Sequence, residues 1–198
     1  MRADALSRNE RIALAAAIVI AHLFYWRIAV YPSDFDARNY VQIAEDIIRN
    51  GLFSKFYYSD LRTYAYPLFL AAMLRIADFA HVSMVWLLFE TQLAAYLFAA
   101  YFVRQRLVAL WPDFSGWAFI GIVLNLFALS YTPESLTESI SVSLMLLAAG
   151  CWLTFVARLT WPPVFVGSLA LGVAVMVRPA NLFALFAWTI GVGAVCMG

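Results

Sequence analysis

Six long stretches of this chain carry almost no charge: residues 12–31, 82–103, 114–131, 137–157, 163–177 and 180–197. A helix crosses the ~30 Å hydrocarbon core of a bilayer in about 20 mostly apolar residues. Inside lipid every backbone N–H and C=O has to be satisfied within the protein, which leaves helices or a closed barrel. Apolar runs of this length, without strand-like alternation, predict an all-α polytopic membrane helical bundle of about six spans. Composition closes the soluble alternative. The chain is 65% hydrophobic and 13% charged, against about 25% charged in an ordinary globular domain, and 198 residues enclose too little interior to hide so much apolar surface.

The N-terminus imitates a secretion signal, because Arg2, Arg8 and Arg11 precede the first apolar run. That run is too long for a signal core. It carries His22, Tyr25, Trp26 and Arg27 near its far end, with no small-x-small cleavage site after it. It reads as a retained first span. Segment 32–81 is different in kind and holds 11 of the chain's 25 formal charges. Within it, Tyr40, Ile43, Ala44, Ile47 and Ile48 follow the stripe of an amphipathic helix over 36–50, and Gly51 stands where a C′ glycine ends one. Such a helix lies in the interface rather than crossing it. Residues 64–80 have an uncharged run of only about 12 residues before Arg75, short of a span.

Charge in the short loops orients the chain. With the N-terminus cytoplasmic and 64–80 not crossing, Arg104, Arg106 and Arg158 fall inside, and Tyr131–Ser139, with two acids and no base, falls outside. If 64–80 crossed, the Arg104/Arg106 pair would face outward. The chain thus reads as one transmembrane module, 1–198, whose segment 32–81 is an outer loop with two short interfacial helices. Net charge is +1 with no basic stripe, so no nucleic-acid partner is expected. Cys151 and Cys196 lie in apolar runs and read as small buried hydrophobes. His22 and His81 read as isolated, without metal-ligand spacing. No metal and no cofactor are expected; a divalent cation is not indicated.

Four features carry polar chemistry into this apolar frame. Asp34 and Asp36, just past the first span, are either helix N-caps or a general base for an incoming hydroxyl or amine. Glu134 and Glu138 lie on the opposing outer loop. There Thr137-Glu138 opens the next helix, where an acid also suits the helix dipole. Arg178-Pro179 separates two apolar runs, and its guanidinium either snorkels to headgroups or clamps a phosphate. Glu90 sits inside the second span near Gln92 and Tyr96, as a packing acid or a functional one.

These residues, in this order, resemble the GT-C superfamily of integral membrane glycosyltransferases, with protein O-mannosyltransferases and 4-amino-arabinose lipid A transferases as the similar members. The elements are one span, then a loop opening with Asp36, Tyr40 and Ala44, then Arg62-Thr63-Tyr64-Ala65-Tyr66-Pro67-Leu68. A span ending at Arg104 and Arg106, an outer acid at Glu138, and Arg178-Pro179 complete the set. The chain departs from the pattern in its single Pro67 preceded by Tyr66, in Val82-Ser83-Met84 where relatives carry an arginine, and in length.

The resemblance implies transfer of a sugar from a polyprenyl-phosphate donor to a glycan, lipid or protein acceptor on the outer face, with inversion. It implies Asp36 and Glu138 as catalytic residues, and Asp34, Tyr40, Arg62, Tyr66, Glu134 and Arg178 as substrate-binding ones. It also implies a multi-pass location in the bacterial inner (plasma) membrane among membrane lipids. The shorter length and the end inside an apolar run suggest a truncated N-terminal part. A transporter or flippase, with His22 and Glu90 on its path, and a non-catalytic membrane subunit are the competing classes.

Overall fold

The computed structural model describes residues 5–30, 35–52 and 65–197, the side chains of residues 28–30, 35 and 36 excepted. In chain order the helices are α1 (Arg8–Val30), α2 (Phe35–Asn50), α3 (Ala65–Ala80), α4 (Met84–Leu110), α5 (Pro112–Val123), α6 (Leu126–Ser130), α7 (Thr137–Arg158), α8 (Trp161–Val177) and α9 (Leu182–Met197). A 3₁₀ turn, Pro179–Asn181, joins the last two. No strand occurs among the described residues. The protein is an all-α bundle, and among the described residues four stretches are long and apolar enough to cross a membrane: Met84–Leu110, Pro112–Ser130, Thr137–Arg158 and Pro179–Met197. The 17-residue α8 is a shorter apolar helix, about 25 Å long at 1.5 Å per residue. This is a membrane protein.

Two ion pairs set the direction of α1 against α4. Arg104 contacts Glu10 at 2.7 Å, and His22 contacts Glu90 at 3.3 Å. Moving up α1 from residue 10 to 22 matches moving back along α4 from 104 to 90, so the helices are antiparallel over roughly 20 Å. Chain leaving the top of α1 therefore returns to α4 at the same end of the bundle. Small residues make the approach close: Ala13, Ala17 and Ala21, all buried, face Phe89, Leu93, Tyr96 and Ala100 of α4 and Phe119 and Val123 of α5. Gly150 of α7 works the same way, since a Cβ there would collide with the Phe102 ring.

Local signals explain the helix ends. Gly51, at φ 84°, accepts the left-handed turn after α2 and bonds Ile47 O through its N–H. His81, at φ 53°, plays that role after α3, with Val82 N bonded to Ala77 O and His81 N to Asp78 O. Ser83 then caps α4 by accepting from Trp86 N.

Three expectations are corrected. The second span does not stop at residue 103: α4 runs on to Leu110. Arg104 is neutralised by Glu10 and Arg106 lies 4.6 Å over the Phe102 ring, so neither charge ends the helix. The run 114–131 keeps its crossing length, as Pro112–Ser130, but is two helices rather than one, because Asn125 breaks it and caps α6 by accepting from Ala128 N. Of the two cysteines, only Cys151 is buried within the protein; Cys196 is exposed.

Candidate functional site

The first turns of α3 and α7 and the last of α8 meet at one end of the bundle. Burial drives the meeting. Ile43, Ala44 and Ile47 from the apolar face of α2 pack with Tyr66, Leu70 and Ala71 of α3, and this layer closes on Leu88 of α4 and Val177 of α8. The amphipathic stripe read over 36–50 thus becomes a docking face, with Glu45, Arg49 and Asn50 left exposed. Tyr40 and Tyr66 meet edge to face, ring centroids 5.2 Å apart at 86°.

Glu138 and Arg178 form the polar centre. Glu138 lies in the first turn of α7 and Arg178 caps α8 in extended conformation, φ −145° and ψ 107°. Arg178 Nη1 donates to Glu138 Oε1 at 2.7 Å, while Thr137 Oγ1 donates to Oε2 at 3.3 Å. The pair is partly open, with the side chains 42% and 21% exposed respectively. One Arg nitrogen holds one carboxylate oxygen, so the planar fork of donors is not fully spent on it.

The corner carrying Arg178 is braced from behind. Asn181 Nδ2 donates to Ser141 Oγ at 2.5 Å and to Ala174 O at 2.9 Å. The loop carrying Glu134 is braced by Gln92 of α4, whose amide donates to Thr132 O at 3.1 Å and Glu134 O at 3.0 Å. Among the described residues the Tyr66 hydroxyl and Ser139 Oγ, both buried in the wall of this end, have no hydrogen-bond partner. Burial pushes the Tyr66 phenol well above its ordinary value, with Glu138, Tyr40 and Glu134 adding to the rise. It stays a neutral O–H donor.

Of the residues singled out by sequence, Tyr40, Tyr66, Glu134, Glu138 and Arg178 come to this end together. The start of α2 at Phe35 puts Asp36 in its first turn. Asp34 and Arg62 lie outside the described residues. Glu90 does not join the site and is not bonded to Gln92 or Tyr96. It pairs with His22, which is therefore not isolated. Sequence reading missed Asn181 and the bracing role of Gln92. Their only signal was a polar amide within an apolar run of sequence, which costs free energy unless it is hydrogen-bonded.

Among the described residues no group of three His, Cys, Asp or Glu side chains is placed to hold a metal ion. The arrangement offers a carboxylate, a guanidinium and a buried phenol at the edge of an apolar bundle. That set suits an anionic headgroup carried on a lipid. No family model matches the chain, and no curated protein or solved structure does so either.

Proposed function

We propose that the protein is a membrane glycosyltransferase that uses a polyprenyl-phosphate-linked sugar at the Glu138 end of the bundle. One observation carries the reading: residues spread from Tyr40 to Arg178 converge beside the 2.7 Å Glu138–Arg178 pair, at the rim of an apolar bundle. A lipid-linked phosphate needs this combination. Its chain lies along apolar helices while its charge meets a guanidinium at the rim.

In this reading the acceptor hydroxyl gives its proton to a carboxylate as its oxygen bonds the anomeric carbon. The bond from that carbon to the phosphate oxygen breaks, with inversion, and the departing phosphate keeps the electron pair. Asp36 is the proposed base. Glu138, already engaged by Arg178, orients the guanidinium towards the phosphate, and Arg178 receives the leaving charge. The site faces outward from a bacterial inner membrane with the N-terminus inside, and a glycan, lipid or protein supplies the hydroxyl.

The test is sugar transfer from a polyprenyl-phosphate donor by the full-length protein in bilayers. Asp36→Asn keeps a comparable cap but removes a proton acceptor, so transfer should fall by about 10²–10⁴-fold. Asp34→Asn should be the milder change. Full transfer by a normally inserted Asp36→Asn protein sinks the assignment. A transport reading draws on a different observation, the His22–Glu90 contact within the span. Polyprenyl-linked sugar moving across the bilayer without transfer would favour it.

A further inference from the structure

We propose that the apolar cleft between α7, α8 and α9 binds one acyl chain of a bilayer phospholipid, whose phosphate takes the unspent N–H donors of Arg178. The cleft holds about 570 Å³ of open space, between Met145, Ala149 and Trp152 of α7, Leu171 of α8, and Ala187 and Trp188 of α9. Its walls are fixed. The two indole rings stand 5.7 Å apart, centroid to centroid, at 62°. Trp188 Nε1 donates to Ser168 Oγ at 3.0 Å, so its polar edge is already occupied. Gly191 and Gly167 seat the rings, because a Cβ at either position would collide with Trp152 or Trp188 respectively.

Position selects the kind of occupant. Met145, Ala149 and Trp152 follow Glu138 by 7, 11 and 14 residues, a spacing that keeps all four on one face of α7. At 1.5 Å per residue the cleft lies roughly 10–21 Å below the Glu138–Arg178 pair. Leu171 stands at the matching depth on α8, 7 residues before Arg178. With the guanidinium at headgroup level, this depth is the inner part of one leaflet, whose share of the hydrocarbon core is about 15 Å. A chain hung from a phosphate at Arg178 reaches it.

A helix does not enter. It is about 10–12 Å across and displaces roughly 800–1,100 Å³ over the ~10 Å length of the cleft. Laid over the mouth instead, it would seal a void whose lining has no partner atoms. Among single chains, those of the surrounding phospholipid are the most concentrated beside the cleft, and mass action favours them.

The rim supplies the complement to the headgroup. Arg178 is 42% exposed and spends one nitrogen on Glu138, which leaves planar donors for phosphate oxygens. The Glu138–Arg178 pair is neutral as a whole, so hydrogen bonds and the buried chain have to hold the lipid together. The proposal shares with the proposed function only the fitting of a phosphate to Arg178. A bound phospholipid and a lipid-linked donor would compete for that guanidinium.

The test uses the full-length protein, stripped of lipid in detergent and titrated with dioleoylphosphatidylglycerol, with bound lipids counted by native mass spectrometry. One lipid should bind ahead of all others. Arg178→Gln and Ala187→Phe should each weaken that first step roughly tenfold or more. Ala187 is exposed at the mouth, so a ring there fills the cleft without entering a packed core. Dioleoylglycerol has the same chains without the phosphate and should not compete. A first step unchanged in Ala187→Phe, or equal binding of dioleoylglycerol, overturns the proposal. So does a polyprenyl phosphate that occupies the cleft where the phospholipid does not. Ala187→Phe and dioleoylglycerol decide the matter even where Arg178→Gln does not fold. Sugar transfer is not the readout, so failure of the glycosyltransferase reading leaves the result standing.

Discussion

Among the described residues, each end of the bundle holds an arginine–carboxylate pair at 2.7 Å, yet the surroundings differ. At the first end Arg104 and Glu10 are almost fully buried, their side chains 6% and 3% exposed. Arg104 reaches both Glu10 oxygens, at 2.7 and 3.1 Å, and Glu10 also accepts from Ser7 N while Ser7 Oγ accepts from Glu10 N. That is a capping box locked to a second helix. At the other end a single Arg178 nitrogen holds Glu138 in a partly open setting, beside a buried Tyr66 hydroxyl and Ser139 Oγ that lack partners among the described residues. A saturated pair holds helices together. An unsaturated one leaves donors for a ligand.

Breaking each pair should separate these roles. Glu10→Ala strands a buried guanidinium, which typically costs about 3–5 kcal/mol. Reversible unfolding in mixed micelles measures it. An equally large loss from Glu138→Ala would erase the distinction between the ends.

Acid should act on the first end specifically. The hydrogen bond from Arg104, aided by Ser7, holds the Glu10 carboxyl below its ordinary 4.5 against the opposing effect of burial. A carboxylate lowered on folding contributes stability that is present above the unfolded value and is lost as pH falls through the folded one. Wild-type stability should therefore decline below pH 4.5, and Glu10→Gln should lack that part of the decline. Parallel acid profiles for the two proteins would remove Glu10 as its source.

The tyrosines offer a subtler contrast. Tyr96 donates to Ile122 O, so Tyr96→Phe should cost about 0.5–1.5 kcal/mol. The Tyr66 hydroxyl has no partner among the described residues, so Tyr66→Phe should be neutral or slightly stabilising while weakening substrate binding. Stability loss in Tyr66→Phe equal to that of Tyr96→Phe would mean that its hydroxyl is already satisfied.

Much of the fold was legible because lipid demands long uncharged helices, and those announce themselves in any window of the sequence. Helix α2 was legible too, since a 3.6-residue stripe and Gly51 both mark it. The pairings were not. Arg104 and Arg106 looked like a loop because a lone charge ends a span, and only Glu10, 94 positions away, makes the longer helix tolerable. His22 and Glu90 read as separate polar residues for the same reason. For the candidate site, sequence supplied Tyr40, Tyr66, Glu134, Glu138 and Arg178. Their convergence depended on α2 and α3 folding back over Leu88 and Val177, a non-local packing event that no local pattern encodes.

The smallest expected effect is the most discriminating for the second end. Glu138→Gln keeps the size of the side chain and an acceptor for Arg178, but removes the charge. Because Arg178 is 42% exposed, solvent already screens the pair, so the change in stability should fall within about 0–1 kcal/mol. Salt should shrink it further, since mobile ions screen exposed charges and reach buried ones poorly. Glu10→Gln, tested alongside, should show a larger loss that hardly responds to salt. Unfolding measured at about 0.05 and 1 M salt, where the Debye length falls to roughly 3 Å, compares the two directly. A salt-insensitive loss at Glu138 as large as that at Glu10 would make Arg178 a structural residue like Arg104. Its guanidinium would then be committed within the protein, and the phosphate site would have to be sought elsewhere on the bundle.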